Sequence, residues 1–278
     1  MNTFGGNWTK AKIEILVDYA KAYLQIMRDR PYFELLYFDG FAGSGSIVRD
    51  DKEDVDLTIG AARRIVEINL PRPFDKYYFV EKDRGNFESL KASTKDLFPE
   101  KKIYLENGDC NKKLIDMANF LRRPENKSVR TLAYVDPCGM QVEWRAIEAL
   151  KGLNLDMWIL VPTGMGVNRL LTKSGEISET WLSRLETFLG IEKSGIKDLF
   201  YNETPTLFEE FTHIRKEDKA IEKSAELYSQ RLNEVFENVS QPFELKNSSN
   251  SIMYHLFLAS NNPTGVKIAN DIVKKYNT

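Results

Sequence analysis

Four short apolar runs in this sequence are each followed by an acidic residue. If the runs are neighbouring parallel strands, their carboxyl ends lie at one edge of a sheet, where open α/β sheets bind ligands. A single acid at such a position is commonly a surface residue, but surface acids have no reason to follow one strand after another. The sequence therefore predicts a ligand site built from strand ends. The runs are residues 35–38, 77–80, 103–105 and 132–135, and the acids are Asp39, Glu81, Asp109 and Asp136.

A glycine-rich segment, residues 40–45 (GFAGSG), follows Asp39. Glycines let a ligand approach main-chain N–H groups closely, but the segment lacks the Gly-Lys-Ser/Thr ending of a P-loop. Asp39 would repel a phosphate and would suit a cationic or zwitterionic ligand, such as the amino and sulfonium groups of S-adenosylmethionine. A glycine turn beside a helix-capping aspartate is the alternative. The residues expected to hold the methionine part of this ligand are Asp39, Phe41, Ala42, Gly43, Ser44 and Gly45.

The next two strand ends suit the adenosine part of the same ligand. Glu81, which Lys82 follows, is placed to accept hydrogen bonds from ribose hydroxyls, as acids do in dinucleotide sites. Asp109 and Cys110 are expected at the adenine amino group. An ordinary Asn-Gly-Asp turn explains residues 107–109 equally well.

The elements that must position these residues alternate along the chain. Strand-like runs separated by helical patterns are typical of a parallel sheet built from right-handed crossovers. Wholly apolar runs indicate strands that are buried on both faces. A fifth run spans residues 157–161, and helices are predicted at residues 9–27, with Thr9 as N-cap, and at 58–69, 86–97, 111–121 and 142–150.

The C-terminal part departs from this alternation. Two strand-like runs, 243–246 and 252–259, are joined by a polar Asn/Ser loop, which predicts a hairpin that adds an antiparallel edge. Between residues 162 and about 230 the strand pattern vanishes, which predicts a helical insertion whose buried stripe includes Trp181 and Leu185. The expected divisions are an N-terminal helical segment (1–32), a Rossmann-like cofactor-binding core (33–162), the helical insertion (163–240), and a C-terminal hairpin and helix completing the core (241–278).

With these residues in place, the chain resembles class I S-adenosylmethionine-dependent methyltransferases, and more closely the three-Cys-motif partner protein (TcmP) family. The resemblance implies a Rossmann-like fold with a mostly parallel seven-stranded sheet, a methyl-donor pocket, and a separately encoded partner that carries three cysteines and resembles radical S-adenosylmethionine enzymes. This chain itself has only two cysteines. The matching segments are WTKAKIEILVDYAKAYLQIM, LLYFDGFAGSG, YYFVEKD, NGDCN, AYVDPCGMQVEW, VPTGMGVNRLL and YHLFLASNNPTG.

Asp136 and Pro137 are the expected catalytic pair. They resemble the Asp-Pro-Pro-aromatic motif of amino methyltransferases, in which a carboxylate and a backbone carbonyl grip an amino group and direct its lone pair at the methyl. Cys138 replaces the second proline and Gly139 the aromatic residue, and both are expected near the substrate. Trp144 could supply a ring instead, although a core role is the more common one for a helical tryptophan. Pro137-Cys138 also matches the Pro-Cys pair of cytosine C5 methyltransferases, but the preceding aspartate and the lack of a Glu-Asn-Val motif disfavour a covalent cysteine.

The segment PTGMGVNRLL follows the fifth run. Gly164 and Gly166 predict a mobile loop beside the pocket, and Asn168 and Arg169 are expected to grip the substrate, the arginine through a phosphate or carboxylate. A loop-to-helix turn with a solvated arginine is the alternative.

Composition limits the other classes of function. The net charge of −2, with scattered Lys and Arg, shows no basic footprint for non-specific nucleic-acid binding. No Cys-x-x-Cys or His-Glu-x-x-His pattern is present, so no metal site is expected. His213, in a charged region, and His255, in an apolar strand, are not expected to be catalytic. No apolar stretch reaches the length of a membrane span, which favours a cytoplasmic protein without a membrane partner.

The prediction is therefore a methyltransferase that uses S-adenosylmethionine and acts on an amino group of a nucleic-acid base or a related compound, together with a three-Cys partner. Nucleic acid stays open as a partner. A non-catalytic adaptor that docks the three-Cys protein is the first alternative, motivated by the altered motif at Asp136. A dinucleotide or nucleotide-sugar enzyme built on the same sheet is the second.

Overall fold

The computed structural model describes residues 7–45, 60–172, 175–205 and 212–276. Its strands are β1 (Glu34–Asp39), β2 (Lys76–Glu81), β3 (Ile103–Asn107), β4 (Val129–Val135), β5 (Leu155–Val161), β6 (Tyr201–Pro205), β7 (Thr212–Lys216), β8 (Asn238–Val239), β9 (Phe243–Lys246) and β10 (Ile252–Ser260).

The main sheet of the described residues has eight strands in the order β3-β2-β1-β4-β5-β10-β8, with β9 also paired to β10. Strands β1 to β5 are mutually parallel, and β10 runs antiparallel to β5. Strand β8 pairs with the end of β10 and β9 with its beginning, so the two share one edge and the sheet is seven positions wide. The predicted Rossmann-like α/β class, with a mostly parallel sheet and a C-terminal hairpin, is confirmed.

Burial explains why the apolar runs marked the strands well. Every residue of β5 is buried, and so is all of β4 except Arg130. Each of the strands β1 to β5 is two or three residues longer than its predicted run, and the added residues include polar ends such as Glu34 and Lys76. Polar residues at the ends of a strand still join its hydrogen-bond ladder, but they carry no apolar signal.

The helices are α1 (Asn7–Met27), α2 (Ala61–Val66), α3 (Arg84–Ser93), α4 (Cys110–Arg122), α5 (Trp144–Glu148), α6 (Asn168–Leu170), α7 (Glu179–Leu189), α8 (Lys193–Phe200), α9 (Ala220–Val235) and α10 (Pro263–Val273). The prediction that Thr9 is the N-cap of the first helix is wrong, because Thr9 lies inside α1. The caps of α3 and α4 are Asp83 and Asp109, whose carboxylates accept hydrogen bonds from backbone N–H groups in the first turn. Helix α2 is shorter than the helix predicted at residues 58–69. The first two residues of that prediction lie outside the described part of the chain.

The insertion is not wholly helical. Between α8 and α9 the strands β6 and β7 form a separate antiparallel hairpin, which the sequence analysis missed. Its strands read YNETP and THIRK, so they lack the apolar alternation that signals a strand. Leu185 is buried as expected, but Trp181 is 41% exposed and lies off the buried stripe.

The two faces of the sheet carry separate cores. Helices α1, α2 and α10 pack on one face, where Leu16, Tyr37 and Trp158 are buried. On the other face α4 and α5 pack together with insertion helices α7 to α9, and Phe188 and Tyr228 belong to that core. In the described part of the chain no helix is both long and apolar enough to cross a membrane.

Candidate functional site

The glycine-rich turn lies at the carboxyl edge of the sheet and is held by the neighbouring strands. The N–H of Gly40 donates to the carbonyl of Tyr134 on β4 (2.9 Å), and the N–H of Ala42 donates to that of Val80 on β2 (3.0 Å). Gly43 has φ of +64°, and a Cβ atom built on it would meet nothing within 4 Å. The turn therefore needs glycine at this position for its backbone, and it leaves open space above it.

Glu81 points at this turn from the end of β2. Its Oε2 accepts a hydrogen bond from the N–H of Gly43 (2.9 Å), and its Oε1 accepts one from the N–H of Asp83 (2.7 Å). One carboxylate thus connects the glycine turn to the start of α3. The predicted grouping of Glu81 with the glycine turn is what the structure shows.

Asp39 ends β1 almost completely buried, with 1% of its surface exposed. Its Oδ1 accepts a hydrogen bond from the N–H of Phe41 (3.1 Å), and the Tyr37 hydroxyl lies 3.5 Å from its Oδ2. Burial raises the pKa of Asp39 to about 8, the Phe41 N–H opposes the rise, and the neighbouring charge of Asp136 adds to it. A buried acid with a strongly raised pKa is a common feature of functional sites.

Asp136 follows β4 and has a partner that sequence reasoning missed. The Lys12 Nζ of α1 lies 2.5 Å from its Oδ2, and the Tyr134 hydroxyl donates to the same oxygen (3.0 Å). Lys12 also lies over the ring of Trp8, 5.2 Å from its centre. Trp8 in turn stacks on Tyr254 of β10 (5.2 Å). A cation and two aromatic rings therefore surround the predicted catalytic carboxylate.

The signal for this group was present but incomplete. Trp8 and Lys12 are four residues apart on α1, so they share one face of the helix. Nothing local indicates that this face meets Asp136, which is 124 residues away in sequence.

Asp109 and Cys110, predicted at the adenine amino group, lie where helix α4 begins. Asp109 caps α4 and accepts hydrogen bonds from the N–H groups of Asn111 and Lys112. The Cys110 thiol is buried, and a Cβ atom on Gly40 would overlap it. The Lys82 side chain is 81% exposed, and its Nζ lies 3.9 Å from Asp109 Oδ2. The side chain of Asp109 thus caps helix α4, and the Cys110 thiol lies against Gly40, the first residue of the glycine-rich turn.

Cys138 and Gly139 continue from Asp136 and Pro137 at the surface of the site. The backbone carbonyl of Cys138 accepts a hydrogen bond from the Tyr254 hydroxyl (3.4 Å). Partial burial and the nearby Asp136 raise the pKa of the Cys138 thiol, which disfavours the covalent-nucleophile interpretation because the thiolate is the reactive form. Trp144 is buried against Tyr228 and does not supply a substrate ring.

Residues Thr163–Val167 form a π-helical turn, a conformation common at functional sites. A Cβ atom on Gly164 would overlap the carbonyl oxygen of Ile252, so this glycine allows close packing on β10. The segment predicted as a mobile loop is thus a packed helical turn. Thr163 Oγ1 and His255 Nδ1 are hydrogen-bonded (2.8 Å), as expected of a structural histidine.

Asn168 and Arg169 open the short helix α6 after this turn. The carbonyl of Asn168 accepts a hydrogen bond from Lys216 Nζ (2.8 Å), and Arg169 is exposed. The charge of Arg169 acts on Tyr254, which places it on the Asp136 side of the molecule. The side chain of His213 lies outside the described side chains.

No family model and no curated protein matches the chain, so no such match supports the resemblance to three-Cys-motif partner proteins. Solved structures do match. Protein LPL1258 of Legionella pneumophila, from family DUF519, is 14% identical with a TM-score of 0.56, over 98% of this chain and 93% of that one. Trm1 from Pyrococcus horikoshii, solved with S-adenosyl-L-methionine, is 10% identical with a TM-score of 0.51, over 97% of this chain and 59% of its own. These similarities establish the shared Rossmann-like fold.

Proposed function

We propose that this chain is an S-adenosylmethionine-dependent methyltransferase whose acceptor is an amino group of a nucleic-acid base or a related compound. The observation that carries the proposal is the convergence of Asp39, Glu81 and Asp136 around an open glycine turn at one sheet edge. The Trm1 structure, which has a similar fold, holds S-adenosyl-L-methionine. That likeness supports the choice of ligand.

The residues at the turn suit a positively charged ligand. Asp39 is buried, and in the described residues no Lys, Arg or His nitrogen lies within 4.0 Å of it. The open space above Gly43 gives such a ligand room to approach the backbone of the turn. Glu81, already oriented by Gly43, would accept hydrogen bonds from the ribose hydroxyls, and the backbone near Asp109 and Cys110 would border the adenine.

When bound, S-adenosylmethionine supplies a methyl group on an electrophilic sulfonium centre. The task of the protein is to align the acceptor with that group. Asp136 would accept a hydrogen bond from the acceptor N–H, and the Pro137 carbonyl would accept a second. Trp8 and Tyr254 provide aromatic surface next to this carboxylate, a suitable environment for a flat base. Arg169 would contact a phosphate or carboxylate of the substrate.

Lys12 holds the position at Asp136 that an acceptor amine would need. An amine substrate must therefore displace the lysine ammonium from Oδ2 or share the carboxylate with it. This competition predicts that acceptor binding, and not cofactor binding, depends on Lys12.

Calorimetric titration with S-adenosylmethionine tests the pocket. Asp39→Ala and Glu81→Ala should each weaken binding by roughly tenfold or more, about 1.4 kcal/mol per factor of ten. Asp136→Asn is the matched control and should bind the cofactor normally. Unchanged affinity in both pocket variants would overturn the assignment.

Transfer itself is measured with radiolabelled S-adenosylmethionine and separated RNA, DNA, protein and small-amine fractions of a cell extract. The wild type should label one fraction, and Asp136→Asn should not. Label in the protein or small-amine fraction alone would exclude a nucleic-acid acceptor.

A non-catalytic adaptor that docks a three-Cys-motif protein is the second candidate. The Lys12–Asp136 ion pair favours it, because the catalytic carboxylate already has a cationic partner within the chain. The partner itself rests on sequence segments such as DPCGMQVEW and GMGVNRLL. Co-purification with the product of the neighbouring gene, with cellular function retained in Asp136→Ala, would favour the adaptor over the enzyme.

A further inference from the structure

A second cleft, the basal cleft, lies at the edge of the sheet opposite the glycine turn. It encloses about 290 Å³ between the end of α1, the first residues of β4 and β5, and the end of β10. The residues that matter for its chemistry are Tyr23, Arg30, Arg130, Thr131, Asp156 and Ser260. None of them has a part in the proposed methyl transfer.

Asp156 supplies a buried negative group. Its Oδ2 accepts a hydrogen bond from the Tyr19 hydroxyl (2.8 Å), and its Oδ1 accepts one from the Ser260 hydroxyl (2.5 Å). Burial raises its pKa, while these two hydrogen bonds oppose the rise. In the described part of the chain no basic side chain lies within 4.0 Å of it. An ammonium group in the cleft would give this carboxylate the cation that it lacks.

Arg130 and Arg30 supply positive charge at the same cleft. The guanidinium of Arg130 stacks over Phe33, 3.9 Å from the ring centre, and its Nη1 donates to the carbonyls of Lys127 and Val129. These contacts hold it in place, and within the described residues its hydrogen bonds involve only Nη1. Arg30 is exposed at the mouth. An anchored guanidinium with free N–H groups is a good partner for a carboxylate.

Two further observations place these charges close together over polar groups. Burial raises the pKa of Tyr23, and the negative charge of Asp156 raises it further. The positive charge of Arg130 opposes this rise, so the charges of Asp156 and Arg130 both act on the Tyr23 hydroxyl. Thr131 is fully buried, and among the described residues its Oγ1 has no hydrogen-bond partner. An unpaired buried hydroxyl is uncommon, and Thr131 is one of the residues that line the cleft.

The size of the cleft limits the ligand. A liquid water molecule occupies about 30 Å³, so 290 Å³ corresponds to roughly ten waters. That is near the lower end of small-molecule sites. We propose that the basal cleft binds a free amino acid, with its ammonium group at Asp156 and its carboxylate at Arg130 and Arg30.

A purely structural role for Asp156 makes a different prediction. Its two hydrogen bonds connect α1, β5 and β10, and Gly265 of α10 leaves room for them, since a Cβ there would lie 2.8 Å from the Tyr19 hydroxyl. Loss of those bonds would lower stability whether or not a ligand binds. The test must therefore measure binding directly.

Isothermal titration of the full-length chain with the standard L-amino acids, one at a time, is the experiment. At least one should give saturable binding, and its N-acetyl and amide derivatives, which each lack one charge, should bind at least tenfold more weakly. Arg130→Gln and Asp156→Asn should each reduce binding by tenfold or more. Asp136→Asn, at the other edge of the sheet, should leave it unchanged.

If Asp156→Asn does not fold, Arg130→Gln at the rim of the cleft still decides the question. The absence of saturable binding by every amino acid would overturn the proposal. Binding that is unchanged in Arg130→Gln would also overturn it. The same holds if the N-acetyl and amide derivatives bind as tightly as the free amino acid. None of these outcomes depends on S-adenosylmethionine, so the proposed methyl transfer is tested separately.

Discussion

Two buried aspartates lie at opposite edges of one sheet, and they differ in the hydrogen bonds that their carboxylates accept. Asp156, at the amino edge, is 7% exposed and accepts short hydrogen bonds from two hydroxyls. Asp39, at the carboxyl edge, is 1% exposed and has one backbone N–H at 3.1 Å and a hydroxyl at 3.5 Å. The two acids are similarly buried, but Asp156 has the closer hydrogen bonds, so the fold compensates the burial of Asp156 better than that of Asp39.

The difference separates two uses of a buried charge. The hydroxyls around Asp156 connect three elements of the core, so the acid contributes to folding even if the basal cleft also binds an amino acid. Among the described residues, Asp39 accepts hydrogen bonds from Tyr37 and Phe41, which lie within two positions of it in the chain, and its pKa rises to about 8. Strongly perturbed acids of this second kind are concentrated at functional sites.

The largest expected effect is on the pH dependence of stability. The pKa of Asp39 rises from 3.8 to about 8 on folding, so between these values the folded state keeps a proton that the unfolded chain has lost. The free energy of unfolding should therefore fall as pH rises through this window, by roughly 1.4 kcal/mol per unit of pKa difference at most. The pKa of Asp156 is also raised and acts in the same direction.

Asp39→Asn should flatten this dependence, because an amide does not titrate. Urea unfolding at several pH values between 4 and 8 would measure it. If the free energy of unfolding changes with pH equally in the wild type and in the variant, then Asp39 does not cause the pH dependence.

Asp156→Ala should destabilise the protein by about 2–4 kcal/mol, because it removes the buried acceptor to which the Tyr19 and Ser260 hydroxyls donate. Asp39→Ala removes a carboxylate that the fold does not stabilise, and it should cost less at neutral pH. Denaturant midpoints of the two variants at pH 7 make the comparison. An equal loss in both would remove the distinction between the two edges.

Two glycines sharpen the description of the carboxyl edge. Gly164→Ala should cost about 2 kcal/mol, because its Cβ would overlap the carbonyl oxygen of Ile252 and the backbone of β10 would have to move. Gly139→Ala is the matched control, since a Cβ there meets nothing within 4 Å. Thermal unfolding would separate them, and equal melting temperatures would contradict the packed π-helical turn.

Lys12→Met should have the smallest effect on cofactor binding, because the Lys12 ammonium contacts Asp136, which is proposed to face the acceptor. Affinity for S-adenosylmethionine should change little. A large loss of cofactor affinity would place Lys12 in the donor pocket and not at the acceptor side.

Much of the fold could be predicted because its signals are local. Strands β1, β4, β5 and β10 each lie at an apolar run, since strands buried on both faces need apolar side chains throughout. The polar hairpin β6–β7 was missed for the same reason. Strand β9 was found through its alternation of buried and exposed residues. The exposed Trp181 shows that an apolar residue beside a stripe need not belong to it.

The candidate site was predicted in part. Asp39, Glu81 and the glycine turn come together as expected, because parallel strands place successive ends at one edge. The side chain of Asp109 turned out to cap a helix, a use that the same acid at the same position permits. The raised pKa of Cys138 depends on burial and on Asp136, neither of which the Pro-Cys pair reveals.

The order of strands and helices, and the residues at the strand ends, were determined by the sequence alone, through periodicity and turn chemistry that act over a few residues. Tertiary structure decided which distant groups meet: Lys12 with Asp136 across 124 positions, and Tyr19 with Asp156 across 137. The physical reason is that a hydrogen bond or an ion pair between elements depends on how their faces pack, and no local pattern carries that information.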